Sequence, residues 1–350
     1  MKEKIEKIFN DWLAEKEDEF SGVLSVTGTE GIIYQTCHGY RNKAELLPNQ
    51  PDTAFAIASG TKIFTGLAIC KLIDEGRLSL NDKLAAILPQ DLGEIDKEVT
   101  IFHLLTHTSG IGDYIDEDHE DIDQLLEDLY AKYPCYLWEN MDYYLQMTTP
   151  LPPKFKPGER FGYSNSGFVL LGLVVEAVSG MSYQKFVEDE IITPCNLTRT
   201  GFYRMDALPP NTALGYMWDE DAGVWCTNIF SVPILGGSDG GIFSTVEDWN
   251  KLWRAIFTNK ILSPDATQLF LKSHVDVEEE DEDGRETYGL GIYCYTDSDN
   301  KQAYFGIGFD AGVGFFSCYF PQTQTVATAM RNFSDGNNYD LMGELLEVLG

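Results

Sequence analysis

Ser59-Gly60-Thr61-Lys62 sets a hydroxyl and an ammonium three residues apart at the mouth of an apolar helix. The approach, Phe55-Ala56-Ile57-Ala58, reads as extended chain. From Ser59 onward Ile63, Phe64, Leu67, Cys70 and Ile73 follow a helical period, which Gly76 stops. Residues three apart share a helix face, so the ammonium can reach the hydroxyl. A serine hydroxyl is a weak nucleophile until a base takes its proton. A partly desolvated lysine beside it can be that base. The free N–H groups of a helix N-terminus favour a developing oxyanion. Taken alone, the four residues read more simply as an N-cap followed by an exposed helix lysine, because S-x-x-K is short and common. What shifts the balance is the rest of the chain.

With 350 residues the chain can bury a large core, as one big domain or two subdomains. No stretch approaches the roughly 18 to 20 consecutive apolar residues that span a bilayer. The N-terminal MKEKIEKIFNDWLAEKEDEF carries Ile5, Ile8, Phe9, Trp12 and Leu13 on one stripe among charges, an amphipathic helix rather than the apolar core of a signal peptide. A cytoplasmic location is therefore expected. The seven cysteines are scattered without CxxC spacing and read as free thiols in a reducing compartment. A formal net charge of −31 argues against nucleic acid and anionic membranes as partners. Two acidic runs, Asp113 to Asp128 and Asp276 to Glu286, lack EF-hand spacing and read as surface loops. His103 and His107 have no third ligand at a suitable spacing, so packed, hydrogen-bonded histidines are expected, and neither metal nor cofactor.

In order, the first helix is followed by two β-type runs, Val23 to Val26 and Ile32 to Cys37, that a glycine-rich turn joins as a hairpin. Then come the Ser59 helix and a mostly helical middle. That middle includes an acidic, aromatic stretch from Asp113 to Met147, the proline-rich loop 150–157, and FVLLGLVVEAVSG, stopped at Gly180. The glycine cluster Gly236 to Gly241 precedes a helix start at Thr245. The tail contains strand-like runs Tyr288 to Tyr295, Gln302 to Ile307, Gly314 to Phe320 and Gln324 to Arg331, then a helix from Tyr339 to Leu349. The two β-containing ends can meet in one antiparallel sheet flanked by helices. The expected fold is α/β (α+β), with one α/β subdomain from 1–57 and 236–350 and a mostly helical inserted subdomain, 58–235. The Ser59 helix then starts near their junction, where pockets tend to form.

Tyr163-Ser164-Asn165 lies before the helix that begins FVLLG. A tyrosine near a serine-lysine pair can shuttle a proton, and an asparagine offers a donor and an acceptor to an amide. By itself this is a loop tyrosine with a capping Ser/Asn pair. Together, DTAFAIASGTKIFTGLAICKLIDEGRLSLNDKL, VTIFHLLTHTSGIGDY, FKPGERFGYSNSGFVLLGLVVEAVSG, GGSDGGIFSTVEDWNKL and YGLGI resemble the class C-like branch of the serine β-lactamase and penicillin-binding-protein superfamily. This branch also holds D-Ala-D-Ala peptidases, D-amino-acid peptidases and esterases. The resemblance covers most of the chain. It implies a β-lactamase/transpeptidase-like fold, Ser59 as acylated nucleophile, Lys62 as its proton partner, Tyr163 as general base and Asn165 as substrate contact. It also implies no metal.

The family's third motif, Lys-Thr-Gly or His-x-Gly, is altered. Here the stretch is Phe305-Gly306-Ile307-Gly308-Phe309. One register puts Gly306 where the Lys or His belongs; another puts Gly308 there. In either the cation is missing. The implied oxyanion hole survives, built from the N–H groups of Ser59 and Phe309. The expected activity is hydrolysis of small-molecule amides or esters through an acyl-enzyme. The alternative is a non-hydrolytic or very slow binding or sensor protein of the same fold.

Overall fold

The computed structural model describes residues 2–15, 20–277, 284–333, 344–345 and 348–349. Its centre is an eight-stranded sheet built from β1 (Gly22–Gly28), β2 (Gly31–His38), β3 (Val275–Asp276), β4 (Gly284–Tyr288), β5 (Tyr293–Asp297), β6 (Gln302–Asp310), β7 (Val313–Phe320) and β8 (Thr325–Arg331). The strand order is β2-β1-β8-β7-β6-β5-β4-β3, and every neighbouring pair is antiparallel. The two ends of the chain therefore meet in one sheet, with Val23 opposite Met330.

Both faces of the sheet are covered, so its middle strands are apolar throughout rather than alternating. All eight residues of β7 are buried. On one face α1 (Lys2–Glu15) lays Ile5, Phe9 and Trp12 against Leu24, Val26, Phe305, Phe316 and Cys318. Each such side chain taken from water contributes about 1.5–3 kcal/mol. On the other face lie α2 (Thr61–Asp74) and α4 (Val246–Phe257), with α3 (Asn165–Ser179) packed on α2. Trp249 of α4 packs its ring 4.6 Å from that of Phe315, and the Trp253 indole N–H donates to Ser317 Oγ at 2.8 Å. Eleven of the fourteen α2 residues are buried, so the helix is a core element and not the one-striped surface helix its period suggests.

Two sequence expectations need correction, and two further segments take a shape that the sequence left open. Ser59 does not open the α-helix: Ala58–Gly60 form a 3-10 turn and α2 starts at Thr61. The run Tyr288 to Tyr295 is not one strand. It breaks at Gly289–Ile292, whose Leu290 carbonyl would lie 2.1 Å from a Cβ on Gly66, so only glycine at 66 lets this turn dock on α2. The stretch Asp113 to Met147 begins as a loop and holds two helices, Ile122–Lys132 and Met141–Thr148. The region around Trp218 and Trp225 forms a hairpin, Tyr216–Asp219 with Val224–Thr227, that no alternation announced. The expected Tyr339 to Leu349 helix lies mostly outside the described residues, as does part of the second acidic run. All seven cysteines are free. Among the described residues no single helix is long and apolar enough to cross a membrane.

Candidate active site

The nucleophile turn hangs from a two-residue strand pair, Phe55–Ala56 with Phe243–Ser244. Ile57 N–H donates to Ile242 O at 2.9 Å, and Ile242 N–H to Thr61 Oγ1 at 3.1 Å, so the chain is anchored on both sides of Ser59. Between these anchors Ala58 is held at φ +43°, a left-handed conformation that costs a non-glycine residue on the order of 1–3 kcal/mol. That bend lifts Ser59, which is only partly buried, off the end of α2.

Lys62 is 2% exposed, and its three N–H donors are all engaged. They reach Ser59 Oγ at 2.9 Å, Asn165 Oδ1 at 2.7 Å and the Asp239 carbonyl at 2.9 Å. Burial lowers the lysine pKa, with the carboxylates of Asp239, Glu117, Asp113 and Asp310 opposing. The ammonium also sits 4.9 Å from the centre of the Tyr163 ring. The Tyr163 hydroxyl is pushed well above its ordinary pKa, first by desolvation and then by Glu117, with a hydrogen bond to Ser59 opposing. The serine hydroxyl thus lies between an amine that gives up its proton easily and a phenol that does not.

Asn165 opens α3, behind the N-cap Ser164, whose Oγ accepts from Gly167 N–H at 3.0 Å. The loop after His107 clamps this helix start. Asp113 Oδ2 accepts Asn165 N–H at 2.7 Å and Oδ1 accepts Ser166 N–H at 2.8 Å. Burial pushes the Asp113 carboxyl up to about 7 in spite of these bonds. Tyr114 donates its hydroxyl proton to Asp239 Oδ2. The side-chain amide of Asn165 donates to Ile115 O at 3.1 Å and to Glu117 Oε1 at 3.0 Å.

On the sheet side, β5 pairs with β6 only over Gln302–Phe305. Gly306–Asp310 therefore presents an uncovered strand edge beside the nucleophile. Gly308 presses on the turn: a Cβ there would meet Ile57 O at 2.2 Å and Ser59 N at 2.8 Å. Gly306 faces Ile63, whose Cδ1 would lie 2.7 Å from a Cβ, so an isoleucine side chain fills the space that a side chain at 306 would enter. Phe309 is 44% exposed at the rim.

The fold thus brings Ser59, Lys62, Tyr163, Asn165 and the Gly306–Phe309 stretch to one place. It also adds three groups that motif reading did not single out: the Asp239 carbonyl, Asp113 and Glu117. The signals were present as the 236–241 glycine cluster and the GIGDY segment, but a backbone carbonyl and a loop carboxylate carry no spacing signature. His107 is a packed histidine. Its Nδ1 accepts Ser164 N–H at 3.0 Å, which leaves the proton on Nε2, 3.2 Å from the Tyr288 hydroxyl. Burial, then the Lys62 charge, drives its pKa well below the usual value. His103 closes a capping box with Thr100. Among the described residues no group of three or more His, Cys, Asp or Glu is placed to hold a metal.

The fold is shared with known proteins. A penicillin-binding protein from Bacillus halodurans has a structure that superposes with a TM-score of 0.86 at 38% identity, covering 98% of each chain. A D-stereospecific amidohydrolase from Streptomyces sp. shares the fold with a TM-score of 0.79 at 23% identity, over 96% of this chain and 95% of its own. Penicillin-binding protein 4* of Bacillus subtilis (strain 168) is 31% identical over 265 residues, 72% of this chain and 55% of that protein. The chain thus spans about half the length of the curated relatives it matches. The family model described as Beta-lactamase matches residues 9–348, and the chain belongs to that family, within the serine β-lactamase and penicillin-binding-protein superfamily.

Proposed function

We propose that the protein is a serine hydrolase that forms an acyl-enzyme at Ser59 on small amides or esters. The observation that carries this reading is the buried Lys62 ammonium 2.9 Å from Ser59 Oγ, on an amine whose burial favours the neutral form. In the neutral state Lys62 takes the Ser59 proton as the hydroxyl attacks the carbonyl carbon. The opposed pKa directions favour Lys62 over Tyr163 as that base, because the phenolate is scarce near neutral pH. The proton taken by Lys62 is returned to the departing group, directly or through the Tyr163 hydroxyl, which takes one proton as it gives one up. The Ser59 and Phe309 N–H groups receive the oxyanion. Asn165 holds Lys62 in place.

Labelling tests the reading. After incubation with a fluorophosphonate or a fluorescent penicillin, mass spectrometry is expected to find the adduct on Ser59. No adduct with either reagent would favour the binding or sensor alternative. The pH profile follows from the lysine. Its folded pKa lies below 10.5, so kcat/KM for a neutral ester is expected to rise with pH along a limb centred below that value. A limb centred at or above it would remove Lys62 as base.

Substrate choice follows from the strand. A substrate carboxylate finds no cation at Gly306-Ile307-Gly308, and all three Lys62 donors are already engaged. A charge-assisted hydrogen bond contributes about 1.5–3 kcal/mol, so its absence weakens transition-state binding by about one to two powers of ten. Short-chain p-nitrophenyl esters are therefore expected to exceed penicillins in kcat/KM. A protein that prefers penicillin would show that the missing cation does not set specificity.

A further inference from the structure

We propose that Asp239 is a positioning residue for this reaction: its main chain holds the Lys62 amine in place, and its carboxylate sets the pH at which that amine becomes a base. This deepens the preceding reading and rests on Lys62 as the base that serves Ser59.

Residues 238–242 run along one face of α2. Thr65 Oγ1 donates to Ser238 O at 2.6 Å, Lys62 Nζ donates to Asp239 O at 2.9 Å, and Thr61 Oγ1 accepts Ile242 N–H at 3.1 Å. Residues three and four apart share a helix face, so these bonds fix the segment in register on the helix. Ser238 ties it to α3 as well, its Oγ donating to Phe168 O at 2.8 Å. The loop also closes on itself: a Cβ on Gly236 would meet Gly241 O at 2.5 Å, and Gly241 holds φ +103°. Asp239, at the centre of this loop, is buried.

The carboxylate is held too. Its Oδ2 accepts the Tyr114 hydroxyl, and Tyr114 N–H donates to Ser166 Oγ at 3.0 Å in the first turn of α3. The carbonyl and carboxyl oxygens of one aspartate are at most about 5 Å apart, which puts this carboxylate within about 8 Å of Lys62 Nζ. An amide would also accept the Tyr114 proton and would cost less to bury. What only the carboxylate supplies is charge. An anion at this range favours the ammonium and opposes the burial that favours the amine. Lys62 acts back on it: burial raises the Asp239 pKa, and the Lys62 charge is the first influence against that rise, ahead of the Tyr114 hydrogen bond.

Other groups face Lys62. Ser59 comes from the nucleophile turn, Tyr163 and Asn165 from the start of α3, His107, Asp113 and Glu117 from the preceding loop, and Asp310 from β6. His107 is held neutral and Tyr163 keeps its proton. Of the four carboxylates, Asp239 acts most strongly on Lys62. Glu117 and Asp310 are exposed residues, so water and salt screen their charge more. Asp113 is buried, but its two oxygens face the N–H groups of Asn165 and Ser166. Around Asp239 itself stand Tyr114, Tyr130 and Tyr144, all three phenols raised first by burial and therefore neutral.

The pH dependence of acylation tests the proposal. Two rates are followed against pH in wild type, Asp239→Asn and Asp239→Ser: kcat/KM for a p-nitrophenyl ester, and labelling of Ser59 by a fluorophosphonate. Without the anion the amine loses its proton more readily, so the rising limb is expected to move to lower pH by about one pH unit or more in both variants. Glu117→Gln, for comparison, is expected to move it by less. A merely structural role would lower both rates by one factor at every pH and leave the midpoint in place. That result, with melting curves showing the variants folded, overturns the proposal. A shift in Glu117→Gln as large as that in Asp239→Asn overturns it as well. In either case the wild-type limb and the Ser59 adduct persist, so the acylation reading stands. A wild-type limb centred at or above 10.5, or the absence of any adduct, removes the preceding reading and this inference with it.

Discussion

Lys62→Met is expected to lower kcat/KM for a p-nitrophenyl ester by about a thousandfold or more and to abolish the Ser59 adduct, with little change in melting temperature. The kinetic part follows from the role of the base: general-base help and correct placement of the nucleophile each contribute factors of hundreds or more, and one side chain supplies both here. The stability part is a near balance. Methionine fits an irregular core and removes the cost of burying an ammonium. Against that, Asn165 Oδ1 and the Asp239 carbonyl lose their donor, at about 1–3 kcal/mol for each buried group left unpaired. A thermal melt run beside the ester assay separates a folded, inactive variant from an unfolded one. A variant that keeps full esterase activity would take Lys62 out of the mechanism.

Gly308→Ala is expected to damage both stability and catalysis, although it adds a single methyl. The new Cβ would sit 2.2 Å from Ile57 O, 2.8 Å from Ser59 N and 3.0 Å from Gly60 N. All three are backbone atoms of a turn pinned at Ile57 and Thr61, so no side chain can swing aside. Overpacking of this kind costs about 1–3 kcal/mol. Relief comes only by moving β6 off the turn, and that separates the Phe309 N–H from the Ser59 N–H. An oxyanion site loses about a hundredfold or more when one donor is misplaced. Acylation by fluorophosphonate, timed against wild type, reads the second effect directly. Wild-type acylation rates in Gly308→Ala would show that the strand can retreat without disturbing the donors.

The site was legible in the sequence to the extent that it is local. Ser59 and Lys62 are three residues apart, and Tyr163-Ser164-Asn165 sits before a strongly apolar helix, but neither spacing carried them alone; the ordered set of motifs along the chain did. The sheet was legible as strand-like runs, but β3 and the break at Gly289–Ile292 were not, because a docking turn is chosen by its partner Gly66 and not by its own pattern. Glu117 and Asp113 lay in a segment whose charge read as a solvated loop. Composition cannot tell an acidic loop facing water from one folded back on a helix start. The meaning of Gly308 was equally hidden: glycine at a motif position reads as a lost side chain, whereas the structure shows a close approach of two backbones.

The pairing of β1 with β8 has a consequence for how the molecule assembles. The hairpin β1–β2 is made first during synthesis, yet the strand it must join is among the last described segments to emerge. Until β8 arrives, the inner edge of β1 stays open, and α2 lacks much of the sheet it is buried against. Closing so long a loop is slow, and open strand edges with apolar helices beside them invite association. A chain stopped before Thr325 cannot complete the order β2-β1-β8-β7, whatever the integrity of its nucleophile turn. Competence at Ser59 is thus gained only when the two ends of the chain have found each other.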